Sequence, residues 1–232
     1  MNPDSYLPSE EMPAETSASR ARVFLNKVYM WMAACMLLTA GVAAYTAQDM
    51  DSLLWVMEHR LLVCLGTLGI VVVMSFGANR LSTGALSILL LTFAGVQGLL
   101  FGPVLVSYGL DSVGKAFGCT AAMFGGMSIF GVLTKRNLST MGRMLIMLLI
   151  GLLVSMIVNI FWQNSMFDFV ISCAGVVIFS LFTAYDTQNL LKIGLSNAAG
   201  IKDKAVVLGA LNLYLDFINL FIMLLRLFGR DE

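Results

Sequence analysis

Long apolar runs separated by short polar segments make up most of this chain. The apolar positions do not recur with the period of an amphipathic helix or of a half-buried strand; they form unbroken stretches. About 20 apolar residues are needed to cross roughly 30 Å of hydrocarbon, and a helix satisfies its own backbone there. The pattern therefore predicts seven membrane-spanning helices, at residues 24–47, 61–78, 84–108, 113–133, 143–161, 167–191 and 205–228.

The composition agrees with a lipid environment. Hydrophobic residues make up 59% of the 232 residues, charged residues make up only 12%, and the mean hydropathy is +0.86. A soluble domain carries about a quarter charged residues, so much of this protein's outer surface must be apolar. We predict an all-α polytopic membrane protein with a single seven-helix domain at residues 23–232. Residues 1–22 are predicted to form a polar cytoplasmic tail, since they lack the apolar core of a signal peptide.

Basic residues near the span ends predict the orientation, because they favour the cytoplasmic side of a membrane. With the N-terminus in the cytoplasm, nine of these residues lie inside and four lie outside. Arg226 and Arg230, at the end of span seven, oppose this arrangement and would suit a re-entrant helix. The nine inside residues are Arg20, Arg22, Arg80, Lys135, Arg136, Arg143, Lys192, Lys202 and Lys204.

The sequence contains no cluster typical of a metal centre, a cofactor site or a nucleic-acid interface. The four cysteines lie within apolar runs and there is one histidine, His59, so zinc-ligand spacing is absent. We expect the cysteines to be small buried hydrophobic residues. The formal net charge of +0 argues against a nucleic-acid partner. No cofactor and no enzymatic activity are predicted.

Glycine pairs occur within two of the predicted spans. Gly98 and Gly102 lie in span three, and Gly114 and Gly118 lie in span four. Small residues four apart allow the backbones of neighbouring helices to approach closely. Both pairs are therefore predicted to mark close helix packing within the bundle.

Two acidic residues lie deep within predicted spans. The other twelve of the 14 acidic residues fall in the tail, the C-terminus, the loops or, for Asp168, at the edge of a span. Asp186 lies in span six and Asp216 in span seven. An ionised Asp in mid-membrane costs roughly 2.5–3.5 kcal/mol, so such residues are functional candidates by default. The alternative is a neutral Asp that only holds neighbouring helices together.

The residues around these aspartates predict that they meet. Tyr185 precedes Asp186 directly, and Tyr214 lies two positions before Asp216. Asn212 and Asn219 lie four before and three after Asp216, so they form a polar stripe that is expected to face the bundle interior or water. With the N-terminus inside, the two aspartates lie roughly 8 and 16 Å from the cytoplasmic span ends.

Two carboxyl groups in a poorly hydrated site cannot easily both ionise. The pair is therefore expected to share a proton and to titrate in two steps, as a proton sensor. When deprotonated, Asp186 and Asp216 would offer oxygen ligands to a hard cation such as calcium, bound transiently. Arg80, at the end of span two, is a candidate for a latch on this pair.

The aspartates and their neighbours resemble a known family. Tyr185–Asp186 and the run from residue 213 to residue 229 are similar to the transmembrane Bax inhibitor motif family, also called the Bax-inhibitor-one-like family, and Gly102–Pro103 supports this. The resemblance implies a seven-helix bundle with the last helix central. It also implies a pH-sensitive calcium leak controlled by an aspartate pair, which falls on Asp186 and Asp216 here.

Family members differ in location and partner. The resemblance implies residence in the endoplasmic reticulum or Golgi for eukaryotic members, and binding to a membrane-anchored protease for some bacterial ones. This chain ends Arg230–Asp231–Glu232 without a basic tail, which favours a bacterial member in the inner membrane. It also has no acidic residue within span two, so any additional ion-relay carboxylate is missing there.

Three functions remain as hypotheses. The first is a pH-sensitive calcium leak channel gated by the two aspartates. The second is a regulatory protein whose tail, residues 1–22, binds a membrane protease or a cell-death or stress partner without transport. The third, an intramembrane aspartyl protease, is disfavoured, because those enzymes carry Gly-x-Gly-Asp at the second aspartate and this chain has bulky residues before Asp216.

Overall fold

The computed structural model describes residues 14–196 and 202–229, and every regular element within these ranges is an α-helix. This confirms the predicted all-α membrane fold. The helices are α1 (Ala14–Gln48), α2 (Met50–Glu58), α3 (Arg60–Gly77), α4 (Thr83–Leu133), α5 (Ser139–Trp162), α6 (Ser165–Leu195) and α7 (Lys202–Phe228). Among the described helices, six are long and apolar enough to cross a membrane. Residues 14–22, predicted as tail, form the first turns of α1.

The 51-residue α4 contains two of the predicted spans. Gly109 interrupts it with φ 69° and ψ 158°, a left-handed conformation that glycine adopts without a steric penalty. The ring of Phe221 lies 5.7 Å from that of Phe101 and 6.5 Å from that of Phe117, which stand on either side of this break. The two arms, residues 83–108 and 110–133, therefore fold back on each other. The six long helices thus supply seven crossings.

The crossings alternate in direction. Asp168, near the start of α6, contacts Arg226, near the end of α7, so these two helices are antiparallel. Phe93 and Phe101 of the first α4 arm contact Tyr214 and Phe221 in the same order, so that arm runs parallel to α7. The first and last described helices therefore begin at the same end of the bundle, called here the N-terminal end. The side of the membrane that this end faces stays a prediction.

Helix α7 is the central helix, as the resemblance implies. It packs against α1, α4 and α6. In its apolar span 72% of the residues are buried, against 11% for α5, which packs mainly on α6 and otherwise faces outward. The outward faces of the peripheral helices are apolar because lipid, and not water, is the solvent there. The core of the bundle is thus built around α7.

A short helix, α2, lies in the connection between the first two predicted spans. Asp49 caps this helix, since its carboxylate accepts hydrogen bonds from the Ser52 amide at 3.0 Å and from the Ser52 hydroxyl. These bonds hold the pKa of the Asp49 carboxyl below its usual range. Leu54 and Trp55 are exposed, which suits a helix lying at a membrane interface. At nine residues, α2 is too short to show a span-length signal.

Only one of the two predicted glycine contacts forms. A Cβ atom on Gly98 would lie 2.6 Å from the Cβ of Val42, and one on Gly102 would lie 2.5 Å from Thr46 Cγ2, so α1 and α4 approach closely here. Gly114 and Gly118 have no atom within 4 Å of such a Cβ, and the prediction for that pair was wrong. Glycines four residues apart therefore form a helix contact in the first arm of α4 but lie on an open surface in the second arm.

The cysteine prediction was also mostly wrong. Cys35 is buried, whereas Cys64, Cys119 and Cys173 are exposed on the outer surface. A thiol is a small, weakly polar group, and its exposure to hydrocarbon costs little. The apolar surroundings of a cysteine in the sequence therefore do not separate the core of a membrane protein from its lipid-facing side.

Candidate ion site

Asp216 lies in the middle of the central helix, fourteen residues after Lys202 and twelve before Phe228. Its side chain is 6% exposed, and its Oδ2 atom has no hydrogen-bond partner among the described residues. A buried polar atom without a partner loses its hydration without compensation, which costs about 1–3 kcal/mol. Such a group in the core of a membrane bundle calls for a functional or structural explanation.

Asp186 lies beside Asp216 on the neighbouring helix. Across the α6–α7 interface Gly175 faces Met223 and Leu190 faces Gly209. This antiparallel register sets Asp186 within about one helical turn of Asp216. The charges of the two carboxyl groups are close enough to interact. Asp186 is half-buried, so the pair has one enclosed member and one partly open member.

The two tyrosines anchor neighbouring helices. The fully buried Tyr214 hydroxyl lies 2.7 Å from Thr39 Oγ1, which donates to the Ala94 carbonyl at 2.9 Å, so Tyr214 donates to Thr39. Tyr214 thereby joins α7 to α1 and α4. The half-buried ring of Tyr185 packs on Gly142, where a Cβ would lie 2.4 Å from the ring. No hydrogen bond among the described residues joins either tyrosine to an aspartate.

The two asparagines lie on the edge of the buried face of α7. Asn212 is exposed, and Asn219 is half-buried and donates from Nδ2 to the Leu215 carbonyl of its own helix at 2.8 Å. The polar stripe predicted from their spacing with Asp216 therefore flanks the core and does not fill it. Of its three members, only Asp216 is enclosed by protein.

Arg80 does not contact the pair in the described part of the chain. Its side chain is exposed in the turn between α3 and α4, and none of the hydrogen bonds or ion pairs found there joins it to Asp186 or Asp216. Lys204 of α7 instead donates from Nζ to the Ala78 carbonyl at 3.1 Å and ties this turn to the central helix. The Arg80 latch stays a prediction.

Hydroxyl groups line the inner face of α6, a feature that the sequence analysis missed. Ser172 and Ser180 are buried, and their Oγ atoms have no hydrogen-bond partner within the described ranges. Thr187 lies 3.5 Å from the Ser128 hydroxyl and 3.3 Å from the Tyr29 hydroxyl. Ser172, Ser180 and Thr187 recur on one side of the helix, so their spacing in the sequence could have revealed this polar face.

A second missed residue, Gln188, fastens the connection between α4 and α5 to α6. Its Oε1 atom accepts from the Leu138 amide at 2.8 Å, and its Nε2 atom donates to the Arg136 carbonyl at 2.8 Å. Gln188 is buried and follows Asp186 by two positions. The helix segment that carries Asp186 is therefore fixed to this connection.

At the opposite end of α6, an ion pair joins α6 to α7. A guanidinium nitrogen of Arg226 lies 3.4 Å from Oδ1 of Asp168. The same oxygen accepts a hydrogen bond from the side-chain Nδ2 of Asn159 at 3.4 Å. This pairing gives Arg226, near the end of α7, an acidic partner on the neighbouring helix. Helices α5, α6 and α7 meet at this cluster.

The described residues contain no group of three or more His, Cys, Asp or Glu side chains that could hold a metal ion. Calcium takes six to eight oxygen ligands. The two aspartates alone would therefore have to be supplemented by hydroxyl, backbone or water oxygens.

Taken together, the fold and the site define an integral membrane protein of seven helical crossings with a carboxyl pair at its central helix. A family described as "Inhibitor of apoptosis-promoting Bax1" matches residues 21–232, and the chain belongs to this family. A protein of Deinococcus radiodurans is 41% identical over 93% of this chain and 94% of its own length. The inner membrane protein YbhL of Escherichia coli K12 is 37% identical over 90% of this chain and 92% of its own. The resemblance to the Bax-inhibitor-one-like family is thus confirmed.

Proposed function

We propose that this protein is a pH-sensitive calcium leak channel of a bacterial inner membrane, controlled by Asp186 and Asp216. The observation that carries the proposal is the buried Asp216 carboxyl, which has an unpartnered oxygen and a second carboxyl beside it. A purely structural aspartate would be expected to use its oxygens in hydrogen bonds to neighbouring helices. The inner membrane location is proposed from the similarity to YbhL, an inner membrane protein of Escherichia coli.

The charge of the pair would act as the switch. When the two carboxyls share a proton, they can remain in contact in a site of low polarity. When both are ionised, they repel each other, and the repulsion is relieved by a cation, by water or by separation of α6 from α7. A divalent oxygen-seeking ion such as calcium matches two negative charges at this point.

Other charged groups on the packed helices lie toward the ends of the bundle. On α6 and on α7 each of them lies at least six residues, or roughly 9 Å along the helix, from the aspartate of the same helix. The charge of the pair is therefore balanced chiefly by protons or by an incoming cation. Apart from Asp186 and Asp216, the charged residues on α1, α4, α5, α6 and α7 whose side chains are described are Arg20, Arg22, Lys27, Asp111, Lys115, Arg143, Asp168, Lys192, Asp203, Lys204 and Arg226.

The buried hydroxyls of α6 support a hydrated route from the pair. Ser180 and Ser172 precede Asp186 in α6. They lie between Asp186 and the end of the bundle where Arg226 contacts Asp168. Their unpartnered oxygens would gain partners if water or a hydrated cation entered this interface. On α7, the Phe217 ring packs edge-on against Phe117 and Phe124 of the second α4 arm.

Calcium entry into dye-loaded liposomes tests the proposal. Purified protein should admit calcium at a rate that changes between about pH 6 and about pH 8, since the charge of a coupled carboxyl pair depends on pH. Asp216→Asn should remove most of this pH dependence, because an amide does not titrate. Asp111→Asn, at an exposed aspartate paired with Lys115, is the matched control and should behave like the wild type. Absence of flux from folded protein would refute the proposal.

A regulatory role through the N-terminal tail is the alternative. Its proposed binding segment, residues 1–22, lies mostly outside the described residues, and the geometry of the described part gives it no specific support. Flux that survives deletion of residues 1–13 would separate the two functions. In this proposal the protein has no enzymatic reaction and no cofactor. Calcium is the ion that it transports, and protons regulate the transport.

A further inference from the structure

We propose that a groove at the N-terminal end of the bundle binds a phospholipid whose headgroup carries both a phosphate and a primary ammonium group. The groove lies between α1, α4 and α7. It has a larger part of about 490 Å³ and a smaller part of about 220 Å³, and both parts are lined by Lys27, Asp203 and Val206. Because they share these walls, the two parts form one continuous depression. The proposal does not depend on calcium transport.

Two opposite charges face each other across this groove. Lys27 stands on the α1 wall and Asp203 on the α7 wall, and both side chains are exposed. No ion pair joins them in the described part of the chain. A ligand with a negative and a positive group could therefore contact both walls at once, with its phosphate at Lys27 and its ammonium at Asp203. Arg20 lines the smaller part and adds a second positive charge beside the phosphate position.

Beyond the charged pair the α1 and α7 walls of the groove become apolar, while the α4 wall carries Thr83 and Ser87. The α1 wall continues with Met30, Trp31 and Ala34, and the α7 wall with Val207. Ala34 lies seven residues after Lys27, so this wall extends about 10 Å along the helix. Trp31 is typical of the level at which headgroups meet hydrocarbon. The shape thus suits a polar headgroup joined to a hydrocarbon chain.

The charges favour this lipid over other occupants. A purely anionic lipid would gain from Lys27 and Arg20 but would meet repulsion from Asp203. A neighbouring apolar helix would leave both charges without partners, which is costly away from water. A quaternary ammonium headgroup carries the same charges but has no N–H to donate to the Asp203 carboxylate. A primary ammonium group satisfies both walls.

Native mass spectrometry of the full chain tests this binding. Delipidated protein in detergent is offered equal amounts of phosphatidylethanolamine and phosphatidylglycerol with identical acyl chains. The wild type should retain phosphatidylethanolamine several-fold in preference. Lys27→Gln should lower its retention about fivefold, the loss expected for one charge-assisted contact of about 1 kcal/mol. Asp203→Asn should make the retention of the two lipids about equal.

Two further variants control for position and charge. Lys135→Gln removes an exposed lysine from the connection between α4 and α5 and should match the wild type. Ala34→Trp fills the apolar part without changing charge and should lower the retention of both lipids. Equal retention by the wild type, preference for phosphatidylglycerol, retention of no lipid, or wild-type behaviour of Lys27→Gln and Asp203→Asn would each overturn the proposal. All of these surface variants should keep the helical circular dichroism of the wild type.

Discussion

Replacement of Gln188 tests whether the connection between α4 and α5 is held by one side chain. Gln188→Leu keeps a similar volume but removes the bonds to the Leu138 amide and the Arg136 carbonyl. The Leu138 amide bond is buried, so its loss costs about 1–3 kcal/mol, and the part-buried carbonyl adds about 0.5–1.5 kcal/mol. The expected loss is therefore about 1.5–4.5 kcal/mol in the free energy of unfolding.

Denaturant unfolding in micelles measures this loss, with Gln48→Leu as the matched control. Gln48 is exposed at the end of α1, and its replacement should change the free energy of unfolding by about 0.5 kcal/mol or less. Gln188→Glu should fall between the two at neutral pH, since a carboxylate accepts from Leu138 but cannot donate to Arg136. A Gln188→Leu variant as stable as the control would refute the role given to this side chain.

Three other predictions follow from packing and capping. Gly102→Ala should destabilise the bundle by about 1–3 kcal/mol, because its Cβ would overlap α1, whereas Gly118→Ala should be neutral or slightly stabilising in the same unfolding assay. Tyr214→Phe should cost about 0.5–1.5 kcal/mol through loss of its bond to Thr39, and an unchanged midpoint would contradict that bond. The depressed pKa of Asp49 means that its capping contribution is present above the unfolded pKa of about 3.9 and is lost as pH falls through the lower folded value. Amide exchange in α2 should therefore speed up at that acid pH in the wild type, but Asp49→Asn should lack this transition.

The membrane spans could be predicted because lipid imposes one dominant rule. Apolar runs of sufficient length give the helices, and the break at Gly109 falls within the short turn expected between spans three and four. The central position of α7 came from the family resemblance. Hydropathy does not reveal it, since α5 has a higher mean hydropathy than α7 yet lies at the periphery.

The aspartates were found because a carboxyl in a hydrophobic run is costly and therefore conspicuous. Their supporting residues were harder to predict. Asn212 shares a helix side with Asp216 but lies past the edge of the protein contact, a boundary that depends on where α4 and α6 pack. Gln188 forms its bonds with a connection about 50 residues away in the chain, which no local pattern encodes.

The most direct test of the central claim is a double-mutant cycle on calcium flux. Liposome entry rates are measured across about pH 6 to pH 8 for the wild type, Asp186→Asn, Asp216→Asn and the double variant. If the carboxyls act as one coupled switch, each single substitution removes most of the pH dependence and the double variant adds little further change. Effects of the two substitutions that simply multiply, or a pH dependence that survives in the double variant, would contradict the account.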